Sequence, residues 1–231
     1  MKKKLKYYKG ELIEFEVYKL VDFYDDILRT PTVPYEFKFD PTSQDNTTSI
    51  AFSLAETLTE LGGLGLSANQ VGLNYRICVL NLGKEIWTLF NPVVISKSEE
   101  MFSEFQEGCL SYPGLYVKIP RHKRIKIKFQ AIGGQEVEQE FTGLTSVCLQ
   151  HELDHLDGII YTDRISPIKL SMAKNKINKN LRKIRDYENK KELLDKQTKT
   201  EEEVLENTAI EPKITIQEPV KKPLEKFIYN T

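Results

Sequence analysis

The sequence predicts an α+β fold, with antiparallel β-sheets packed around a central helix, an N-terminal helix ahead of it and a C-terminal helical tail behind. Three patterns predict this. Residues 124–141, RIKIKFQAIGGQEVEQEF, alternate Ile125, Ile127 and Phe129 with Lys126, Lys128 and Gln130, then turn at Gly133-Gly134. That is the mark of a two-faced hairpin. The runs YRICVLNL (75–82) and WTLFNPVVIS (87–96) are apolar and β-branched and suit strands. From about Thr142 to Asp157, Leu144, Val147, Cys148, His151 and His155 recur at helical spacing, which makes the central helix.

In chain order, residues 1–17 read as an N-terminal extension. Residues 17–37 mix strand-like side chains with Pro31 and Pro34 and read as extended chain with turns. The polar stretch DPTSQDNTTS (40–49) is a loop ending in N-cap candidates, Thr48 and Ser49. Ile50, Leu54, Leu58 and Leu61 then share one helical face, and Gly62-Gly63 stop that helix. After Pro167 the composition shifts. Between Lys169 and Leu194 lysine and arginine far outnumber Asp186, Glu188 and Glu192, with a thin apolar stripe of Met172, Ile177, Leu181 and Ile184. Residues 168–194 are therefore a candidate basic helix. Residues 195–231 are polar, carry Pro212, Pro219 and Pro223, and read as a disordered tail. Residues 18–167 remain as one folded domain.

Bulk properties exclude several classes. Hydrophobic residues make up 40% of the 231, so a core is possible, and the formal net charge of -1 argues against a general nucleic-acid binder. No stretch approaches the roughly 18 apolar residues of a membrane helix. The basic N-terminus is interrupted by Glu11, Glu14 and Glu16 before any signal-like apolar run, so a cytoplasmic location is expected. Three cysteines, Cys78, Cys109 and Cys148, make no disulfide framework.

The chemistry-bearing stretch is QHELDHLDG, residues 150–158. Helical residues four apart project about 40° from each other, so His151 and His155 point the same way and could share one metal ion. Glu152 stands beside the first, placed to handle the proton of a water. A histidine pair alone is a weak signal. The preceding SVCL suggests a buried helix rather than a surface helix with two solvated histidines. A catalytic ion needs a third protein ligand. Downstream there is no further histidine, and Glu188 lies in the basic segment. Upstream, EGCLS (107–111) offers Cys109 in a polar, Gly-containing stretch. One sulfur and two imidazoles suit Fe(II), Zn, Co or Ni. A third stretch, GLGLSANQVG (63–72), is glycine-rich but lacks the Gly-Lys-Ser/Thr of a phosphate loop. Its Gln70 is a candidate oxyanion donor.

Together these three stretches resemble the peptide deformylase family. GLGLSANQ is similar to that family's first motif, EGCLS matches its second, and HELDH its third, in the family's order over roughly residues 18–166. The resemblance implies a catalytic domain over 18–167 that hydrolyses the N-formyl group from the formylmethionine of new proteins. It implies that Cys109, His151 and His155 bind one divalent ion, typically Fe(II), with zinc and nickel forms known. It implies that Glu152 is the general base and acid, that Gln70 and the backbone N–H of Leu110 bind the oxyanion, and that Gly65 lines the substrate groove. It associates a basic C-terminal helix with ribosome docking. It implies neither a membrane nor specific DNA as partner. Two departures stand out. Ser67 replaces the family's usual alanine, which bears on groove shape, and Tyr116 stands where many bacterial members carry arginine.

Selectivity has a physical side. A formyl carbon bears only hydrogen, so a tight site admits it and excludes longer acyl chains. The methionine side chain needs an apolar wall, for which Leu64, Val147 and Cys148 are candidates; for the latter two a plain core role is equally open. The peptide could add as a β-strand near 108–112. Asp154 is expected to orient the histidines or a neighbouring arginine, and Arg121 with Glu107 is a candidate ion pair. Two rival readings remain. A zinc endopeptidase would take its third ligand downstream, and a binding protein would use its basic segment alone.

Overall fold

The computed structural model describes residues 2–37, 47–179, 182 and 185. The chain divides into two units, Met1–Lys179 and Asn180–Thr231. The predicted tail, the basic segment past Lys179 and most of the 40–49 loop lie outside the described residues.

Residues 1–17, expected only as an extension, hold two strands. β1 (Lys2–Tyr8) and β2 (Glu11–Val17) form an antiparallel ribbon. Lys9 and Gly10 both adopt positive φ, 49° and 88°, which matches the twist a two-residue hairpin needs. On β2 the alternate residues Ile13, Phe15 and Val17 are buried. They face α1 (Thr47–Leu61), the helix expected from 48 onward. Ser53 Oγ accepts from the Glu16 N–H (3.2 Å) and Thr57 Oγ1 from the Tyr18 N–H (2.9 Å), so the helix satisfies backbone donors of the passing chain. Phe52 packs between Tyr8 and Phe15, and Lys4 reaches both Glu56 and Glu60.

The main sheet has five antiparallel strands in the order β11-β10-β5-β4-β3. They are β3 (Gly65–Ser67), β4 (Ile77–Asn81), β5 (Ile86–Lys97), β10 (Arg124–Gln130) and β11 (Glu136–Thr142). The predicted hairpin is β10–β11, with Ile125, Ile127 and Phe129 buried and Lys126 and Lys128 bridged to Glu138 and Glu136 on the wet face. Two small antiparallel sheets complete the set, β6 (Met101–Phe102) with β9 (Arg121–His122) and β7 (Gln106–Cys109) with β8 (Tyr112–Lys118).

α2 (Gly143–Leu156) is the second predicted helix, with caps at Thr142 and Asp157. It is buried at nearly every position from Ser146 onward and touches β3, β4, β9, β10 and β11. A helix covered on all sides normally shows apolar residues all round. Here His151, Glu152, Asp154 and His155 are buried instead. Residues 167–179 are helical as well. Leu170, Ala173 and Ile177 pack against Leu115, Val117, Ile119 and Tyr161, leaving Ile168 and Met172 exposed.

The ribbon's hold on α1 is apolar. Phe15→Ala should cost about 3 kcal/mol or more. Lys4→Ala, which removes two partly exposed ion pairs, should cost about 1 kcal/mol or less. Urea unfolding midpoints measure both, and equal losses would show that ion pairs anchor the ribbon.

Candidate active site

Three elements meet at one cavity of ≈ 410 Å³. α2 contributes His151 and His155 from successive turns, their rings 5.0 Å apart. β7 contributes Cys109, and a bulge between Glu107 and Cys109 re-aims the cysteine as the strand ends. A short 3-10 turn, Ala68–Val71, contributes Gln70 and is closed by Gly72 at φ +85°. The Cys109 sulfur lies 3.2 Å from His155 Nε2, and one donor atom from each of Cys109, His151 and His155 falls within 4.8 Å of the others. An ion bonded at about 2.0–2.3 Å fits between donors this close. All three are buried. The third histidine, His122, is elsewhere, bonded through Nδ1 to the Ser98 carbonyl.

The surroundings suit an ion. His151 Nδ1 meets Glu107 Oε2 at 3.0 Å, which leaves Nε2 for the cavity. Glu107 in turn takes two hydrogen bonds from Arg121, Nε at 2.7 Å and Nη2 at 2.8 Å, and Arg121 Nη1 donates to Asp154 at 2.6 Å. Arg164 also donates to Asp154. The expected Arg121–Glu107 pair is thus present, and Asp154 holds arginines rather than histidines. Burial works against ionising Glu107, but its bonds to Arg121 and His151 prevail and hold its pKa below the usual carboxylate value.

Glu152 lines the cavity, is 3% exposed, and has one carboxylate oxygen, Oε2, buried with no hydrogen-bond partner among the described residues. Burial pushes its pKa up to about 7, against the opposing pull of His151 and Ser67. For His151 burial lowers the pKa, yet bonds to Cys109 and Glu107 outweigh that and carry it to about 10. For His155 burial and the charge of His151 push it well below the usual value. An ion on the cluster replaces the His151 proton, because imidazole ligates as the neutral ring.

Leu64, Gly65, Leu110, Val147 and Cys148 line the cavity with Gln70, Cys109, His151 and Glu152. Gly65 leaves no room for a side chain, since a Cβ there would sit 2.5 Å from Glu152 Oε1 and 2.8 Å from Cys148 Sγ. Tyr116 borders the mouth, 60% exposed, with its ring against Gly108. Ser67 corrects one expectation. It does not line the groove; it is fully buried behind it and bonded to Gln70. Sequence reasoning also missed the bond from Glu107 to His151 and the seat of Gln70 on Ser111 (3.1 Å). The strand period offered a signal for the first, because Glu107 and Cys109 are two apart.

Comparison with known proteins gives one answer. The polypeptide deformylase family model matches residues 17–171. The peptide deformylase of Fusobacterium nucleatum is 37% identical over 170 residues, 73% of this chain and 93% of that one. That of Thermotoga sp. (strain RQ2) is 37% identical over 161 residues, 70% of this chain and 94% of that one. The crystal structure of the Thermotoga maritima peptide deformylase aligns with a TM-score of 0.61 at 38% identity, covering 66% of this chain and 99% of that one.

Glu107→Gln keeps the shape but loses the charge that holds His151. It is expected to weaken metal binding about 10- to 100-fold. Competition with a chelator, read by elemental analysis, measures this; unchanged retention would remove Glu107 from the site.

Proposed function

The chain belongs to the polypeptide deformylase family, and from that membership we propose how its own residues remove the N-formyl group from newly made peptides. The observation that carries the reading is the convergence of Cys109, His151, Glu152 and Gln70 on one cavity, with His155 grouped behind Cys109 and His151. α2 is then the central metal-binding helix. A divalent ion held by the Cys109 sulfur and the two imidazoles, Fe(II) on the family pattern, with Zn, Ni or Co also suited, supplies a Lewis acid and makes water acidic enough to react near neutral pH.

Glu152 accepts the proton of the attacking water and returns it to the departing amine. The Gln70 amide nitrogen, 3.5 Å from the Cys109 sulfur, and the Leu110 N–H are the donors for the oxygen that becomes negative. Gly65 brings backbone close to the reacting group without a side chain in the way. Leu64, Val147 and Cys148 form the apolar wall for the methionine side chain. β7 pairs only with β8 among the described residues, so its other edge, running into 108–112, is open to an added peptide strand.

A downstream third ligand, which an endopeptidase of this motif would use, finds no support in the cluster, whose third member lies upstream. The basic segment that starts in the helical residues 167–179 is the proposed ribosome contact, and a cytoplasmic location follows from that role. Among the described residues no helix is long and apolar enough to cross a membrane.

The test is formate release from formyl-Met-Ala-Ser by protein prepared without oxygen. Glu152→Ala should abolish turnover while keeping its metal, and Gln70→Ala should lose about 10²–10³ in rate. Cys109→Ala should lose the metal, whereas a peptidase would keep it. An inactive, metal-loaded wild type would overturn the reading.

A further inference from the structure

Two buried polar side chains stand beside Gln70 outside the roles assigned above, although one of them, Ser67, also pulls the Glu152 pKa down. Ser67 and Asn69 are both 0% exposed. Asn69 Nδ2 donates to the backbone carbonyl of His155 at 2.6 Å, with Ile27 O a longer second partner at 3.5 Å. Those carbonyls settle which end of the Asn69 amide is nitrogen. Its oxygen, Oδ1, therefore faces Ser67, 3.0 Å from Ser67 Oγ. The same hydroxyl lies 3.0 Å from Gln70 Oε1, so its one proton is shared between the two oxygens, and Gln70 Oε1 also accepts from the Ser67 N–H at 2.9 Å.

The chain of bonds runs from the last turn of α2 through Asn69 and Ser67 to the Gln70 carbonyl oxygen. Its effect is directional. With the Ser67 N–H on Oε1 and the Ser67 hydroxyl sharing its proton there, the Gln70 amide has one satisfied orientation, with Nε2 turned toward Ser111 Oγ and the Cys109 sulfur. Flipping the amide would set its NH₂ against the Ser67 N–H in a buried place, where unpaired donors are costly. The anchor at His155 O matters as well, because it ties the turn to the residue that also presents a metal-ligand nitrogen.

We propose that Ser67 and Asn69 are positioning residues, which lock the Gln70 carboxamide with its nitrogen toward the reacting carbonyl and keep it in register with α2. This rests on the reading of Gln70 as an oxyanion donor. A serine at position 67 is then a functional addition and not a tolerated change in groove shape. Removing its hydroxyl leaves the backbone N–H on Oε1, so the loss is partial.

Two measurements on the metal-loaded full chain test this. The first is a double-mutant cycle. Ser67→Ala should lower kcat about 3- to 10-fold, the worth of one hydrogen bond, with KM and metal content unchanged. In a Gln70→Ala background the same substitution should do nothing further. The second is the Gln70 side-chain NH₂ signal by NMR on the chain loaded with zinc, a diamagnetic ion, identified by its loss in Gln70→Ala. It should be sharp in the wild type and broadened or shifted in Ser67→Ala. An unchanged signal, or an equal rate loss in both backgrounds, would overturn the proposal. An inactive wild type with the expected NMR response would leave the positioning intact and sink the functional reading instead.

Discussion

Arg121 is 3% exposed and holds two carboxylates on different elements, Glu107 on β7 and Asp154 on α2. That grip is what the site depends on. Cys109 comes from a two-stranded sheet and the histidines from a helix, and beyond the single His151–Glu107 bond and the Cys109–His155 contact something must fix one against the other. The guanidinium does so with two bonds to Glu107 and one to Asp154. Its planar fork suits paired acceptors in a way a lysine ammonium does not. Buried ion pairs rarely add much net stability, since desolvation offsets the attraction, yet losing one partner strands a charge and costs several kcal/mol. The network is better understood as a device for geometry. It also sets charge, because Glu107 held ionised by Arg121 is what meets His151.

This explains why α2 departs from the usual pattern. Its buried positions carry acids and imidazoles because each has a specific partner waiting, Arg121 and Arg164 for Asp154, Glu107 for His151. Glu152 and His155 are the exceptions, each with one buried atom, Oε2 and Nδ1, unpartnered among the described residues. Of the two, Glu152 lines the cavity and has the raised pKa, so it is the group placed to exchange a proton. Unmet bonds at such positions are tolerable only in a frame that is satisfied elsewhere.

Much of this was readable in advance. α1, the β10–β11 hairpin and α2 fell within a few residues of their expected limits, since each repeats a clean 3.6- or 2-residue period. The histidine half of the group that could hold an ion is legible because histidines four apart on a helix share a face. The N-terminal ribbon was not. Residues 1–17 alternate, but lysines and glutamates on both strands mask the apolar face of Ile13, Phe15 and Val17, whose partner α1 lies some thirty residues later. Ser67 was misjudged for a related reason. Sequence shows that a hydroxyl replaced a methyl, not which way it points, and the 3-10 turn points it at Gln70.

Gly65 has a consequence for any inhibitor of this protein. The space above it is bounded by Glu152 and Cys148 so closely that even a methyl group would collide. A molecule lying flat over that glycine therefore occupies ground the protein has no means to alter without blocking its own substrate. Contacts made to Leu64, Leu144 or Tyr116, exposed at the rim, offer no such protection, because those side chains can change and leave the floor intact. Resistance should accordingly arise at the rim, and compounds anchored on the floor should outlast those that lean on the walls.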